Sequence, residues 1–320
     1  MATGVTIAAG AVGAGVGLVF LKRWLNGGRC HSNARMDGKT VIITGCNTGI
    51  GKESAKDLAK RGARVIMACR NIEKAEEARL DVVRESGSSN VLVKKLDLAS
   101  MKSIREFAED IKREEKQLNV LLNNAGVMLC PQWETEDGFE MQFGTNHLGH
   151  FLLTLLLLDL IKASAPSRIV NVSSNAHRRG NMNLDDVMMS KKYEALQAYG
   201  QSKLANVLFT RELARRLKGT GVTSYSLHPG VINTDLGRHF GTYASWAKPL
   251  LFFTSPFLKT SEQGAQTSIY MYCCVDEKAG QETGLYYMDC AATEPIEKAK
   301  DDEVAKKLWD LSLKLVELEE

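Results

Sequence analysis

Lys39–Gly51 reads KTVIITGCNTGIG, and this stretch decides the fold. Lys39–Thr44 is a short apolar run that ends at a glycine, the pattern of a strand feeding a turn. It passes directly into Thr44-Gly45-Cys46-Asn47-Thr48-Gly49-Ile50-Gly51. Glycines let the backbone turn tightly and approach a pyrophosphate with no Cβ in the way. Lys52–Arg61 then carries helical periodicity and stops at Gly62. The start of such a helix offers N–H groups and a partial positive charge to phosphates. The spacing is G-x-x-x-G-x-G rather than the commoner G-x-G-x-x-G fingerprint, and taken alone it also fits a plain strand–helix turn.

The same alternation continues outward. Arg64–Cys69, Val91–Leu96, Asn119–Leu122, Arg168–Val172 and Val222–Leu227 read as strands, while Ile72–Ser86 and Ser100–Lys116 read as amphipathic helices. Short apolar strands separated by helices imply βαβ units and a parallel sheet. The fold expected is α/β, one doubly wound parallel-sheet Rossmann domain over residues 38–320. Phe151–Leu158 (FLLTLLLL) is too short to span a membrane and is interrupted by Asp159, so it reads as a buried helix. No second domain boundary appears, only an insertion-like stretch at residues 231–260.

The end of the second strand bears on cofactor choice. A carboxylate there would bind the ribose 2′-OH of NAD, whereas an arginine accommodates the 2′-phosphate of NADP. Cys69 and Arg70 occupy the position, with no acid before Glu73. Arg70 can grip a phosphate bidentately, and a solvated loop arginine is the plainer alternative.

Charge and cysteines limit the classes open to the chain. The net charge is +3 with both signs mixed throughout, and no basic stripe suggests nucleic acid. Cys30, Cys46, Cys69, Cys130, Cys273, Cys274 and Cys290 are scattered, with no C-x-x-C pair and no zinc spacing. They read as reduced thiols facing a reducing compartment. His147, His150, His177 and His228 lie near motifs without metal-ligand spacing and read as satisfied core or loop histidines; no metal is expected.

Residues 1–25 differ from the rest. Val5–Leu21 is a charge-free run of seventeen residues, followed by Lys22, Arg23, Arg29, Arg35 and Lys39. A membrane span needs about 20 apolar residues, with about 17 at the lower limit. A cleaved secretory signal carries its basic residues before the apolar run, and a mitochondrial address is amphipathic and Arg-rich. A signal-anchor is the reading preferred here, with a buried helix also open. The basic cluster then places the body on the cytosolic side. Residues 26–37 read as a linker.

Tyr199-Gly-Gln-Ser-Lys203 puts two side chains one turn apart on one helix face. A free tyrosine titrates near pH 10, and a nearby ammonium is expected to lower that value and make Tyr199 a usable acid–base. Such a pair alone arises often by chance. Here Ser173-Ser174 follows a strand, as do Asn123-Asn124-Ala125-Gly126, and Asn146 lies in TNHLGHF. Doubly wound folds place their sites at such strand ends, and a serine hydroxyl there can hydrogen-bond a substrate oxygen as charge develops.

Thr44–Gly51, Asn123–Gly126, Asn146, Ser174, Tyr199/Lys203 and His228-Pro229-Gly230 together resemble the short-chain dehydrogenase/reductase family. The resemblance implies that Tyr199 is the general acid/base, that Lys203 binds the nicotinamide ribose and tunes Tyr199, and that Ser174 rather than Ser173 orients substrate. It implies that Asn146 holds a water in the proton relay. The cofactor would lie against Gly45, Asn47, Thr48, Gly49, Ile50 and Gly51, then Asn123, Ala125 and Gly126. Asp97 and Leu98 would contact adenine, and Pro229, Gly230 and Val231 the nicotinamide side. ITGCNTGIGKE, MACR, DGFEMQFGTNHLGHFLLT, NVSSNAH, QSKLANVLFTREL and LHPGV resemble the microsomal retinol dehydrogenase subgroup, as does the N-terminal anchor. That likeness implies NADP(H)-dependent retinal reduction or retinol oxidation, an endoplasmic reticulum membrane with a cytosolic catalytic domain, or else a mitochondrial membrane. It leaves a homodimer open. Ser174 and Tyr199 are 25 positions apart, longer than is usual in the wider family but common in this subgroup. Residues 181–195 are therefore expected as a loop or small helix beside the site.

The 231–260 stretch is expected as a substrate lid in which Trp246 and Phe252 contact a long apolar substrate. Core packing of those residues, or their insertion into a bilayer beside the anchor, are the other readings. Other lipid-derived aldehydes or steroids remain alternative substrates. A catalytically idle NADP-binding scaffold is the alternative of a different class, and the intact Asn146/Ser174/Tyr199/Lys203 set argues against it.

Overall fold

The computed structural model describes residues 26–232, 235–239, 258–273 and 282–319. Seven parallel strands form its frame: β1 (Thr40–Thr44), β2 (Arg64–Cys69), β3 (Val91–Lys95), β4 (Val120–Asn123), β5 (Ser167–Val172), β6 (Val222–His228) and β7 (Tyr286–Met288). Their order is β3-β2-β1-β4-β5-β6-β7, and β8 (Ala291–Ala292) closes the edge antiparallel to β7. The order reverses between β1 and β4, and the crevice outside the strand C-termini at such a switch point is where ligands bind.

The helices cover both faces: α1 (Gly49–Lys60), α2 (Ile72–Ser86), α3 (Met101–Glu114), α4 (Gly149–Leu156), α5 (Ala195–Arg216), α6 (Ser261–Cys273) and α7 (Asp302–Leu315). Successive strand residues point to opposite faces, so β1 divides its side chains between two cores. Ile42 joins Ile104, Phe107, Phe151, Leu208 and Trp309 beneath α3, α4, α5 and α7. Val41 and Ile43 join Leu58, Ala78, Val82 and Ile269 beneath α1, α2 and α6.

Predicted and observed bounds of the early elements differ by a few residues at most, because apolar strands and capped helices state their own limits. Asn71 caps α2 by accepting from Lys74 N, and Gly87 ends it at φ 72°. Phe151–Leu158 is confirmed as buried helix over most of its length. The β7–β8 hairpin and α6 were not placed from sequence; the strands have three and two residues, too few for a readable alternation. Residues 26–37 form a tethered strap. Arg61 Nη1 donates to the carbonyls of Ser32 and Ala34, each at 2.9 Å, and Cys30 N donates to Gln266 Oε1 at 3.1 Å. No helix among the described residues is long and apolar enough to cross a membrane. The expected anchor, residues 1–25, lies outside the described residues, as do Trp246 and Phe252 of the expected lid.

Candidate active site

A cavity of about 690 Å³ opens at the switch point, between the ends of β1, β2 and β4. Its walls bring together Gly45, Asn47, Thr48, Gly49 and Ile50 from the glycine loop, Arg70 beyond β2, Asp97 and Leu98 beyond β3, and Ala125 and Gly126 beyond β4. All ten were named from sequence. The loop is built for close approach. Gly45 has φ +63°, and a Cβ there would lie 2.7 Å from the Ala125 Cβ. At Gly51 a Cβ would lie 2.7 Å from the Gly45 carbonyl oxygen and 2.6 Å from Asn124 Nδ2. Only glycine fits these two positions without displacing backbone. Gly51 is buried beneath the loop and shapes the cavity without lining it. The Thr48 side chain does not cap α1, and the first turn of α1 carries no acid, so nothing of the same sign competes with an anion at that helix start.

Arg70 is well exposed at the cavity edge, with Nε 4.0 Å from Asp97 Oδ2. Asn71 and Lys74 line the same edge. Lys74 was not singled out from sequence, although it lies in the first turn of the helix following Arg70. Asn124, Val127, Thr145, Leu236 and Arg238 also line the cavity. Leu236 belongs to the expected lid, and its short 3-10 turn, Asp235–His239, brings it to the cofactor side.

Asn123 occupies a different place from the one expected. Its side chain is buried and lies outside the cavity wall; Nδ2 donates to Asn171 Oδ1 at 2.8 Å and to Thr154 Oγ1 at 3.0 Å. It braces β4 against β5, and Asn124 faces the cavity instead. Pro229, Gly230 and Val231 follow β6 outside the cavity wall, with Gly230 at φ +102° against the Lys259 side chain.

The four expected catalytic residues converge beside the cavity. Tyr199 and Lys203 lie on α5, both buried, at 5% and 3% exposure. Ser174 follows β5, and its hydroxyl lies within hydrogen-bonding reach of the Tyr199 phenol. The neighbouring Ser173 hydroxyl is instead spent on the Lys203 carbonyl at 2.7 Å. Lys203 Nζ donates to the Val172 carbonyl at 3.0 Å and faces Gly126, where a Cβ would lie 3.5 Å away.

The expected lowering of the tyrosine is not what the site produces. Burial pushes the Tyr199 phenol up to about 12, with the Ser174 hydrogen bond opposing that rise. Burial pushes the Lys203 ammonium down to about 8. Desolvation disfavours the charged form of each group, and the ammonium's hydrogen bond goes to the Val172 carbonyl rather than to the phenol.

Asn146 sits in a π-helical turn, Gly144–Leu148, that was not read from sequence. Single π-turns inside helices recur at functional sites. Its carboxamide is fully engaged: Oδ1 accepts from Val127 N at 2.8 Å, and Nδ2 donates to the Val127 carbonyl at 2.9 Å and to Ser202 Oγ at 3.0 Å. The side chain thus staples the loop after β4 to α5, and a water could be held only through the main chain. Residues 181–194 form no helix. They are fastened as a loop, with Gln201 Nε2 donating to the Val187 carbonyl at 2.7 Å and Tyr193 Oη to the Cys130 carbonyl at 2.8 Å.

Comparison with known proteins agrees with this geometry. Residues 39–243 match the family model described as short chain dehydrogenase. Human retinol dehydrogenase 13 is 52% identical over 306 residues, covering 94% of this chain and 91% of that protein. Human retinol dehydrogenase 12 is 50% identical over 296 residues, covering 92% of each. Among solved structures, an uncharacterised protein of Mycobacterium paratuberculosis superposes with a TM-score of 0.72 at 36% identity, over 89% of this chain and 96% of that one. A Pseudomonas aeruginosa RhlG/NADP active-site complex shares the fold with a TM-score of 0.63 at 24% identity, over 80% of this chain and 96% of that one.

Proposed function

The chain belongs to the short-chain dehydrogenase family, and we propose that it is an NADP(H)-dependent retinal reductase and retinol dehydrogenase. It is an oxidoreductase that uses a nicotinamide cofactor. The observation that carries the reading is the placement of Ser174 beside the buried Tyr199 phenol, with Lys203 one helical turn on and facing Gly126 of the cavity wall.

The bound nicotinamide supplies the hydride for reduction or takes it up in oxidation. The chain's own residues do the rest. Ser174 and Tyr199 hydrogen-bond the substrate oxygen. Tyr199 gives its phenol proton to that oxygen in reduction and receives it in oxidation. With its phenol raised to about 12, Tyr199 is protonated at neutral pH, the form that donates to the substrate oxygen in reduction. Lys203 holds the nicotinamide ribose and keeps positive charge near the phenol. Asn146 fixes the loop after β4 through Val127 and offers its main-chain carbonyl to a relay water.

Selection of NADP rests on Arg70 at the end of β2, joined by Lys74; the carboxylate that lines the cavity among the described residues, Asp97, lies 4.0 Å from Arg70 Nε. Two cations suit a 2′-phosphate. The retinoid substrate is supported by the names of relatives half identical to this chain along nearly their whole length. Residues 231–260, with Trp246 and Phe252, are assigned to the long apolar part of that substrate. Residues 1–25 are assigned as a membrane anchor of the endoplasmic reticulum, with the catalytic domain cytosolic; a mitochondrial membrane is the other placement.

Kinetics with NADPH on all-trans-retinal, 9-cis-retinal, nonanal and a ketosteroid tests the reading. The highest kcat/KM is expected for a retinal. A preference for nonanal or the steroid would move the enzyme to another substrate class, and no turnover of any of the four would leave only a cofactor-binding protein.

A further inference from the structure

His150 is a satisfied core histidine, as its sequence context suggests, and both its ring nitrogens are engaged by parts of the site. Nδ1 lies 3.0 Å from the Asn146 carbonyl oxygen, and Nε2 lies 2.9 Å from Thr44 Oγ1. The roles of these atoms follow from their partners. A carbonyl only accepts, so Nδ1 carries the proton; Nε2 is then a lone pair, and Thr44 must donate to it. Thr44 Oγ1 in turn accepts from Asn124 N and from Ala125 N, each at 2.9 Å. Its other neighbour, the Leu122 carbonyl at 3.5 Å, is too distant to compete for the hydroxyl proton.

The result is one polarised chain. The two amides after β4 donate to Thr44, Thr44 donates to His150, and His150 donates to the Asn146 main chain. Thr44 is the last residue of β1, immediately before the glycine loop, and the two amides belong to residues in the cavity wall. The far end is the turn whose carboxamide clasps Ser202, which itself donates to the Tyr199 carbonyl at 2.8 Å. His150 is 2% exposed and Thr44 is fully buried. Water therefore has little means of replacing either bond, and a buried hydrogen-bond chain has few alternative arrangements.

We propose that His150 is a positioning residue that couples the cofactor cradle to the Asn146 turn, so that a seated cofactor sets the geometry of the turn. Neither end works through His150 as an acid or base. The imidazole fixes the direction of the Asn146 carbonyl, and through the turn the placement of Ser202 and the catalytic helix. The inference rests on the cofactor and Asn146 roles proposed above.

The test uses the full chain with NADPH as the probe. Amide hydrogen exchange is measured with and without NADPH for the wild type, His150→Leu, His150→Gln and Thr44→Val. In the wild type NADPH should slow exchange in both 124–127 and 144–150. In His150→Leu the first protection should persist and the second be lost. That variant's kcat should fall about ten- to hundredfold, the scale of a small misplacement, with KM for NADPH unchanged. Glutamine offers both an N–H and a carbonyl, so His150→Gln should recover most of the rate and the protection. Thr44→Val breaks the chain from its other end and also unpairs the Asn124 and Ala125 amides, so it should lose protection at 124–127 as well as at 144–150. If His150→Leu does not fold, the contrast between Thr44→Val and His150→Gln carries the same comparison. Retained protection at 144–150 in the variants that break the chain would overturn the proposal. Absence of any NADPH protection in the wild type would overturn the cofactor reading itself.

Discussion

Lys203 Nζ lies 5.7 Å from the centre of the Tyr199 ring, and its hydrogen bond goes to the Val172 carbonyl rather than to the phenol. The pair is one turn apart on α5 and buried, so both groups are held in their neutral-favouring direction. Tyr199 is raised to about 12 and Lys203 lowered to about 8. The two directions of the reaction should therefore differ in pH dependence. Reduction needs the protonated phenol and should stay level from pH 6 to pH 8. Oxidation needs the phenolate and should climb through the same range. Initial rates measured in both directions across this range check it; parallel profiles would rule out Tyr199 as the proton carrier.

Arg70→Asp should turn the cofactor preference from NADPH towards NADH. A charge-assisted phosphate contact is replaced by repulsion, and such contacts are worth about 1.5–3 kcal/mol. The ratio of kcat/KM for the two cofactors should therefore fall at least about tenfold. Lys74→Glu should act in the same direction. An unchanged ratio in both variants would remove the β2 end as the selector.

Gly45→Ala should weaken cofactor binding. The new Cβ would sit 2.7 Å from the Ala125 Cβ at a φ of +63°, so the glycine loop and the loop after β4 must part. Strain of this kind costs about 1–3 kcal/mol. NADPH titration by fluorescence should show a Kd raised by at least about fivefold. Wild-type affinity would mean that the loop does not approach the cofactor closely.

Acid should destabilise the fold before the carboxylates are titrated. Burial, reinforced by neighbouring His150, lowers His147 to about 3. Burial and nearby Lys203 lower His150 to about 4, and burial and Lys259 lower His228 to about 4, with Asp289 opposing. Each binds its proton more readily when unfolded, near pH 6.5. Stability is therefore fully present above pH 6.5 and is lost as pH falls towards 4. Each histidine contributes on the order of 1.4 kcal/mol per pH unit within that window. His147→Leu, which leaves Ser312 without its 2.9 Å partner and removes the Asn206 hydrogen bond, should flatten the denaturant midpoint between pH 6.5 and 5. An unaltered slope would assign the loss elsewhere.

Much of this site could be read from sequence because its parts lie at strand ends. Glycines at 45, 49 and 51, Arg70, Asp97 and Gly126 each follow a short apolar run, and a doubly wound sheet gathers such ends at its switch point. What could not be read depends on distance across the fold. Asn123 resembles its neighbour Asn124 until Asn171 and Thr154 are seen beneath it. The sign of the Tyr199 shift depends on burial, which the four-residue spacing does not reveal. The π-turn that bends Asn146 away from the regular ladder has no marker in TNHLGHF. His150 lacked a role for the same reason, since Thr44, 106 positions earlier, is its partner.

Membrane placement has its own test. Residues 1–35 fused to a soluble reporter should carry it into a carbonate-resistant membrane fraction and leave it open to protease in intact vesicles. Carbonate release would refute a span, and protection would refute the orientation. Cosedimentation with mitochondria would select the other membrane.

NADPH oxidation by all-trans-retinal, compared between the wild type and Tyr199→Phe at neutral pH, tests the central claim most directly. The substitution removes the phenol proton and keeps the ring in its buried place on α5. Positioned acid–base catalysis is worth about 10²–10⁴-fold, so kcat should fall by that much while the NADPH Kd stays at its wild-type value. Turnover of the variant at the wild-type rate would contradict the assignment of Tyr199, and a wild type that binds NADPH but never reduces the aldehyde would contradict the proposed reaction.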